Sequence, residues 1–213
     1  MSLQETLAEM KKKSAAKVPP EALEIMLGTT RRLVESGIAE QSTKKGDKIP
    51  EVELPNATGD KVNLKDLLAK GPVVINFYRG GWCPYCSVEL REFQKVLPEI
   101  KELGATLIAI SPELPDNSLS TKEKNELEFE VLSDQGNKVA KDFGLVFELA
   151  DDLKKVYDKF GLDIPKFNGD NSWEIPMPAT YVIDTDGTVK YSFIEADYTL
   201  RAEPSDIIKA LKK

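Results

Sequence analysis

Residues 72–93 of the chain read PVVINFYRGGWCPYCSVELREF. Their first part, residues 72–78, is a continuous run of β-branched and aromatic side chains, which is typical of a strand buried on both faces. A short loop with two glycines follows. From Pro84 onward the apolar residues recur at helical spacing, and a kink is expected at Pro98. A buried strand that leads through a short loop into a helix therefore forms the centre of the predicted fold. The stripe that this helix should bury consists of Leu90, Phe93, Leu97 and Ile100.

Cys83 and Cys86 are the two cysteines of the chain, and they stand three residues apart at the start of the predicted helix. Unpaired backbone N–H groups and the positive end of the helix dipole favour a thiolate over a thiol at such a position. A second cysteine one helical turn further on can close a disulfide with the first. The pair is therefore predicted to be a reversible redox switch, rather than two buried structural thiols or half of a metal or iron–sulfur site.

The residues around the cysteines are candidates for support of their chemistry. Arg79 adds a permanent positive charge that could lower a thiol pKa or hold an oxygen-containing substrate. Trp82 is expected to form a wall of the site, with simple core packing as the alternative. Pro84 suits the first turn of a helix, where its missing N–H costs nothing. Gly80 and Gly81 would let the backbone come close to a substrate.

The composition excludes several other functions. The 213 residues carry 36 acidic and 29 basic side chains, with a formal net charge of −7, so nucleic acids and anionic lipids should repel the chain. Histidine is absent, which removes histidine-dependent nucleophilic catalysis and histidine metal ligands, and two cysteines cannot complete a zinc site. We expect no nucleic-acid partner, no membrane partner, no metal and no cofactor. The sequence lacks both an apolar run of about 18 residues and the apolar core of a signal peptide, so a cytoplasmic location is the default expectation.

The remaining sequence divides into a helical extension, residues 1–45, and an α/β domain, residues 46–213. Within the extension, one helix is expected to begin at Pro20 and to end at Gly37. Alternating strands and helices in the domain predict an α/β layered fold. Further strands are predicted at residues 105–111 and 129–134 and in a hairpin at 180–193, helices at 115–128, 137–143, 151–160 and 205–211, and a loop at 162–178.

From about Gly46 to Leu211 the sequence resembles the thioredoxin-like superfamily and, within it, the redoxin branch that holds the peroxiredoxins, the alkyl hydroperoxide reductase and thiol-specific antioxidant family. The resemblance is carried by GDKIPEVEL and GDKVNL, by residues 72–93, and by MPATYVIDTDG. WCPYC, with Tyr85 inside it, is similar to a thioredoxin or glutaredoxin site. Pro178 stands where the family places a cis-proline opposite the cysteines. The resemblance implies a thioredoxin-like fold, a central mixed β-sheet flanked by helices, here with an N-terminal helical extension.

Two site patterns of the superfamily overlap in these residues. If the peroxiredoxin pattern starts on residues 77–78, Arg79 and Cys83 stand where that family has proline and threonine, and Cys86 stands at the peroxidatic cysteine. The thioredoxin pattern instead makes Cys83 the attacking thiol and Cys86 the resolving thiol. Both assignments are compatible with the sequence.

The resemblance implies a peroxiredoxin-like thiol peroxidase that reduces hydroperoxides through a Cys83–Cys86 disulfide and is regenerated by a thioredoxin- or glutathione-type reductant. In the peroxidatic hypothesis Cys86 attacks the peroxide and Cys83 condenses with the resulting sulfenic acid. The family's usual arginine is missing where Pro178 stands, so Arg79 or Arg201 would replace it. For Arg201, a role as an ordinary surface arginine is equally compatible with the sequence.

Two other functions remain open. A thiol–disulfide oxidoreductase would use Cys83 as its nucleophile, and a redox-sensing module would use the disulfide to switch a binding surface. The N-terminal helices would either form the arm of a homodimer or cover the sheet. The sequence does not distinguish these alternatives.

Overall fold

The computed structural model describes residues 2–212 and contains one five-stranded mixed sheet with helices on both faces. The strands are β1 (Glu53–Pro55), β2 (Lys61–Asn63), β3 (Val73–Phe77), β4 (Thr106–Ser111), β5 (Glu130–Ser133), β6 (Val146–Glu148), β7 (Glu174–Pro176), β8 (Ala179–Ile183) and β9 (Val189–Ile194). The helices are α1 (Leu3–Ala15), α2 (Pro20–Glu35), α3 (Leu64–Leu68), α4 (Pro84–Glu102), α5 (Pro115–Lys124), α6 (Lys138–Asp142), α7 (Asp151–Lys159), α8 (Ile164–Asn168) and α9 (Pro204–Leu211).

The central sheet has the strand order β5–β4–β3–β8–β9. Strands β3, β4 and β5 run parallel, whereas β8 pairs antiparallel with β3, and β9 with β8. All five residues of β3 are buried, as its sequence predicts for a central strand. Val74 packs into the core that contains α1, α4 and α9, and Ile75 packs into the core that contains α3 and α6. The predicted mixed sheet flanked by helices is therefore confirmed.

The N-terminal helices fold back onto their own chain. Leu3 and Leu7 of α1 belong to the same buried core as α4, and the backbone N–H groups of Leu3 and Gln4 donate to the Glu203 side chain. Helix α2 lies against α7, and the two helices share an ion pair. As predicted, helix α2 begins at Pro20, and Gly37 follows its end in the left-handed conformation. The extension therefore packs against the rest of the same chain.

The predicted loop at residues 162–178 is wrong in two places, because it contains α8 and β7. Helix α8 has its own start and stop signals: the Asp163 side chain accepts a hydrogen bond from the Lys166 backbone N–H, and Gly169 ends the helix at a φ of +71°. Strand β7 pairs with β6, which the sequence analysis missed, because three-residue strands are too short to show a period.

One helix prediction also needs correction. Helix α5 ends at Lys124 rather than at residue 128, and Ser118 and Thr121 on it are buried. Pro98 lies inside helix α4, and the kink expected there stays a prediction. Within residues 2–212, no helix combines the length and apolarity needed to cross a membrane.

Candidate active site

The two cysteines lie where the loop after strand β3 leads into helix α4. Cys83 is the N-cap residue of α4, Pro84 is its first residue, and Cys86 lies in its first turn. Both are free thiols, and their exposed fractions are 1% and 0%. The predicted dithiol at a helix start is therefore present, in a site closed off from solvent.

Arg79 is enclosed by aromatic side chains next to the first thiol. Its guanidinium carbon lies 4.9 Å from the ring centroid of Trp82 and 4.2 Å from that of Tyr198. It donates a hydrogen bond of 2.7 Å to the Tyr157 hydroxyl, and its Nη1 lies 3.9 Å from Cys83 Sγ. In the described part of the chain no carboxylate lies within ion-pair distance of this guanidinium. Its positive charge therefore faces Cys83 without a neutralising partner.

Arg201 lies next to the second thiol. Its exposed fraction is 1%, so the expectation of a surface arginine is wrong. Its Nη2 donates to Cys86 Sγ at 3.3 Å, and its Nε donates to Glu89 Oε2 at 2.7 Å. The chain segment between β9 and α9 brings this guanidinium onto α4 from the far end of the sequence. The cation beside Cys86 is therefore paired with a carboxylate, unlike the cation beside Cys83.

The two thiols also differ in proton affinity. Burial alone would raise the pKa of Cys83, but the hydrogen bond from Cys86 and the charges of Arg79 and Arg201 outweigh it and lower the pKa to about 5. The backbone N–H of Cys86, at the start of α4, contributes in the same direction. Burial raises the pKa of Cys86 well above its usual value, and the negative charge of Cys83 raises it further. Cys83 is therefore the thiol of the pair that ionises first.

Two buried carboxyl groups lie on the Cys86 side of the site. Burial raises the pKa of Glu89 to about 7, although Arg201 acts against this. Burial likewise raises the pKa of Glu113 to about 7, although the Gly81 backbone N–H donates to its Oε2 at 2.9 Å. Both groups therefore gain or lose a proton near neutral pH.

The two glycines before the cysteines have a packing role. A Cβ atom on Gly80 would collide with the Trp82 indole, and one on Gly81 would collide with the Thr121 side chain. The close approach expected for these glycines is therefore made to protein side chains, including that of Glu113.

Trp82 and Tyr85 flank the two cysteines in the chain, and each contacts a tyrosine from a distant part of the sequence. The Trp82 ring meets Tyr157 edge-on at 5.8 Å, and the Tyr85 ring meets Tyr198 edge-on at 5.5 Å. Trp173 packs against the same hydrophobic cluster as Trp82. Aromatic side chains therefore line the site around the two cysteines.

Pro178 borders a pocket together with Arg79 and Tyr198, but the expected cis peptide bond is wrong. The described residues contain no cis peptide bond. The chain runs extended from β7 directly into β8, where Ala179 pairs with Phe77. This path uses the trans form, which X–Pro bonds favour.

Four residues of the site were missed by the sequence analysis. Glu89 had a usable signal, since it precedes Leu90 on the face of α4 that helical spacing buries, and a charged residue there is unusual. The others come from elements distant in sequence, and no local pattern indicates them. They are Glu113, Tyr157 and Tyr198.

A buried dithiol with one low and one high proton affinity can donate two electrons and accept them again, which is the chemistry of a thiol-dependent oxidoreductase. The model of the AhpC/TSA family matches residues 45–192, more than two thirds of the chain. The chain therefore belongs to the AhpC/TSA family, and it is a peroxiredoxin-like thiol peroxidase, as the resemblance implied.

Individual relatives agree with this placement. Chloroplastic peroxiredoxin Q from Triticum aestivum is 29% identical over 177 residues, which cover 83% of this chain and 71% of that protein. Peroxiredoxin Bcp from Escherichia coli K12 is 28% identical over 150 residues, 70% of this chain and 85% of that protein. The crystal structure of peroxidoxin BcpB from Mycobacterium tuberculosis superposes with a TM-score of 0.63 at 26% identity, over 80% of this chain and 97% of that one. Helices α1 and α2 precede the residues that the family model matches.

Proposed function

We propose that the protein reduces hydroperoxides with Cys83 as the attacking thiolate and Cys86 as the resolving thiol. The observation that carries this assignment is the unneutralised guanidinium of Arg79 beside Cys83. It follows the thioredoxin pattern of the sequence rather than the peroxiredoxin pattern, in which Cys86 attacks. A thiolate is the nucleophilic form of cysteine, and at neutral pH Cys83 holds it.

The first step transfers one oxygen atom. The Cys83 thiolate attacks the terminal oxygen of R–O–OH, so that an S–O bond forms and the O–O bond breaks. The sulfur is oxidised by two electrons to a sulfenic acid, and the leaving RO⁻ takes up a proton to become ROH. Arg79 is placed to stabilise the negative charge on the departing oxygen, because its guanidinium adjoins the attacking sulfur.

The second step forms the disulfide. Cys86 lies one turn of α4 from Cys83, within hydrogen-bond contact. Its sulfur attacks the sulfur of the sulfenic acid, hydroxide leaves and takes the thiol proton, and water is released. An external thiolate then opens the disulfide and a second thiol completes the reduction. We assign this role to a thioredoxin-type dithiol protein or to glutathione, in line with the family.

The assignment can be tested by mixing reduced protein with hydrogen peroxide in a stopped-flow instrument. We expect Cys86→Ser to consume one equivalent of peroxide at close to the wild-type rate and to accumulate a sulfenic acid, which dimedone traps for mass spectrometry. We expect Cys83→Ser to react no faster than free cysteine. The opposite pattern would assign the attack to Cys86.

A second candidate function rests on the same low pKa of Cys83. The WCPYC motif at the start of α4 also suits a thiol–disulfide oxidoreductase, in which Cys83 attacks a protein disulfide. Reduction of insulin by wild type but not by Cys83→Ser, together with peroxide consumption no faster than that of free cysteine, would favour this candidate over the peroxidase.

A further inference from the structure

A pocket of about 210 Å³ lies between helix α2 and the body of the domain. Its walls are largely apolar: Leu33 comes from α2, Leu153 from α7, and Phe147 from β6. At one end the pocket is bounded by Arg79 and Tyr198. One arginine that contacts the reactive thiol therefore also closes the pocket.

The contacts of Arg79 link the pocket to the dithiol. Its Nη1 faces Cys83 Sγ at 3.9 Å, and its Nη2 donates a hydrogen bond to the Tyr157 hydroxyl. Its buried Nε has no hydrogen-bond partner among the described residues. A buried donor without a partner is costly, and it is available for an oxygen atom that arrives from the pocket. The exposed fraction of Arg79 is only 3%, so a molecule that reaches it must be held between the pocket walls.

We propose that this pocket binds the organic group of an apolar hydroperoxide and that α2 thereby sets a preference for such peroxides over hydrogen peroxide. This inference rests on the proposed function and assigns a specificity role to α2, which lies outside the part of the chain that the family model matches. The hydroperoxide head lies against Arg79, and its terminal oxygen is transferred to Cys83. The O–O bond breaks, and the organic group leaves as an alcohol.

The size and lining of the pocket fit this class of ligand. An apolar cavity of about 150 Å³ accommodates benzene, so 210 Å³ accommodates a benzene ring with a short branched substituent. Hydrogen peroxide has no apolar group to bury and gains nothing from Leu33 or Phe147.

The test compares cumene hydroperoxide with hydrogen peroxide in matched variants. Leu33→Asn makes one wall of the pocket polar. Val34→Asn changes the next residue of α2, which is 48% exposed and lies outside the pocket lining. We expect Leu33→Asn to lower the second-order rate constant for cumene hydroperoxide about tenfold, with less than a twofold effect on hydrogen peroxide. Val34→Asn should change neither rate constant.

A second variant guards against misfolding of Leu33→Asn. Ser36 is an exposed residue at the end of α2 that lines the same pocket, so Ser36→Phe fills the pocket and should cause the same selective loss. Equal losses with both peroxides, or no loss with either, would overturn the subsite and leave the peroxidase standing. A wild-type protein that consumes neither peroxide would overturn the proposed function and the subsite with it.

Discussion

The surroundings of Cys83 and of Cys86 differ in the partner given to each arginine. Beside Cys83, three aromatic side chains enclose Arg79, and they leave its charge unneutralised. Beside Cys86, Arg201 forms a buried ion pair with Glu89, and a second carboxyl group lies close by. Aromatic rings attract a cation without cancelling its charge. The cation that has no carboxylate partner therefore lies beside the thiol whose pKa is lowered, and the ion-paired cation lies beside the thiol whose pKa is raised.

Loss of Arg201 should destabilise the fold far more than loss of Arg79. Arg201→Met should lower the free energy of unfolding by about 3–5 kcal/mol, because it leaves the buried Glu89 carboxyl group without its ion-pair partner. Arg79→Met leaves no such carboxylate and should change the free energy of unfolding by less than about 2 kcal/mol. Urea unfolding of the reduced proteins measures both. Equal losses would contradict the difference between the two sides.

The carboxyl groups on the Cys86 side should make stability depend on pH. Burial raises the pKa of Glu113 to about 7, so the folded state binds a proton more tightly than the unfolded state does. The contribution of Glu113 to the free energy of unfolding is therefore fully present at acidic pH, below its unfolded-state pKa, and is lost as the pH rises through about 7. Glu113→Gln should therefore gain stability over wild type across that range, by a difference on the order of 3 kcal/mol. Urea unfolding at several pH values measures it, and parallel curves for the two proteins would refute it.

The surroundings of Cys83, which contain Arg79, should control the rate at which peroxide first oxidises the protein. The thiolate of Cys83, with a pKa of about 5, should make the wild-type rate constant flat near neutral pH and lower in acid. Arg79→Met should raise this pKa toward the ordinary value of about 8.5 and slow the reaction at neutral pH by roughly tenfold or more. Stopped-flow rates across the pH range measure the shift.

Arg91→Met, which removes an exposed arginine on the same helix as Cys86, is the control for the loss of a positive charge. We expect its profile to match that of wild type. An unshifted profile in Arg79→Met would show that Arg79 does not set the pKa of Cys83.

The smallest effect is expected from the hydroxyl group that holds Arg79. Tyr157→Phe removes the acceptor of the 2.7 Å hydrogen bond but keeps the ring. It should cost about 1 kcal/mol of stability and should slow the peroxide step less than Arg79→Met does. Tyr191→Phe, on β9 and away from Arg79, is a matched control. A rate loss as large as that of Arg79→Met would mean that the hydroxyl has a larger role than positioning.

Much of the fold around the two cysteines could be predicted from local sequence. The strand at residues 72–78, the helix from Pro84 and the dithiol between them follow from side-chain spacing and from the electrostatics of a helix start. The short elements β6, β7 and α8 were missed, and the trans bond before Pro178 corrects an expectation that rested on resemblance alone. Periodicity needs length, and these elements have three to five residues.

The sequence by itself determined that two cysteines stand at a helix start and that Arg79 is near them in the chain. It left open which cysteine attacks, and whether Arg201 lies in the site or on the surface. Tertiary structure decided the place of Arg201 and the surroundings of Arg79, because it brings Arg201 from the end of the chain onto Glu89 and places Tyr157 and Tyr198 around Arg79. Our proposal that Cys83 attacks rests on these neighbours. The pKa of a buried thiol depends on every charge within a few ångströms, and those neighbours are set by packing rather than by position along the chain.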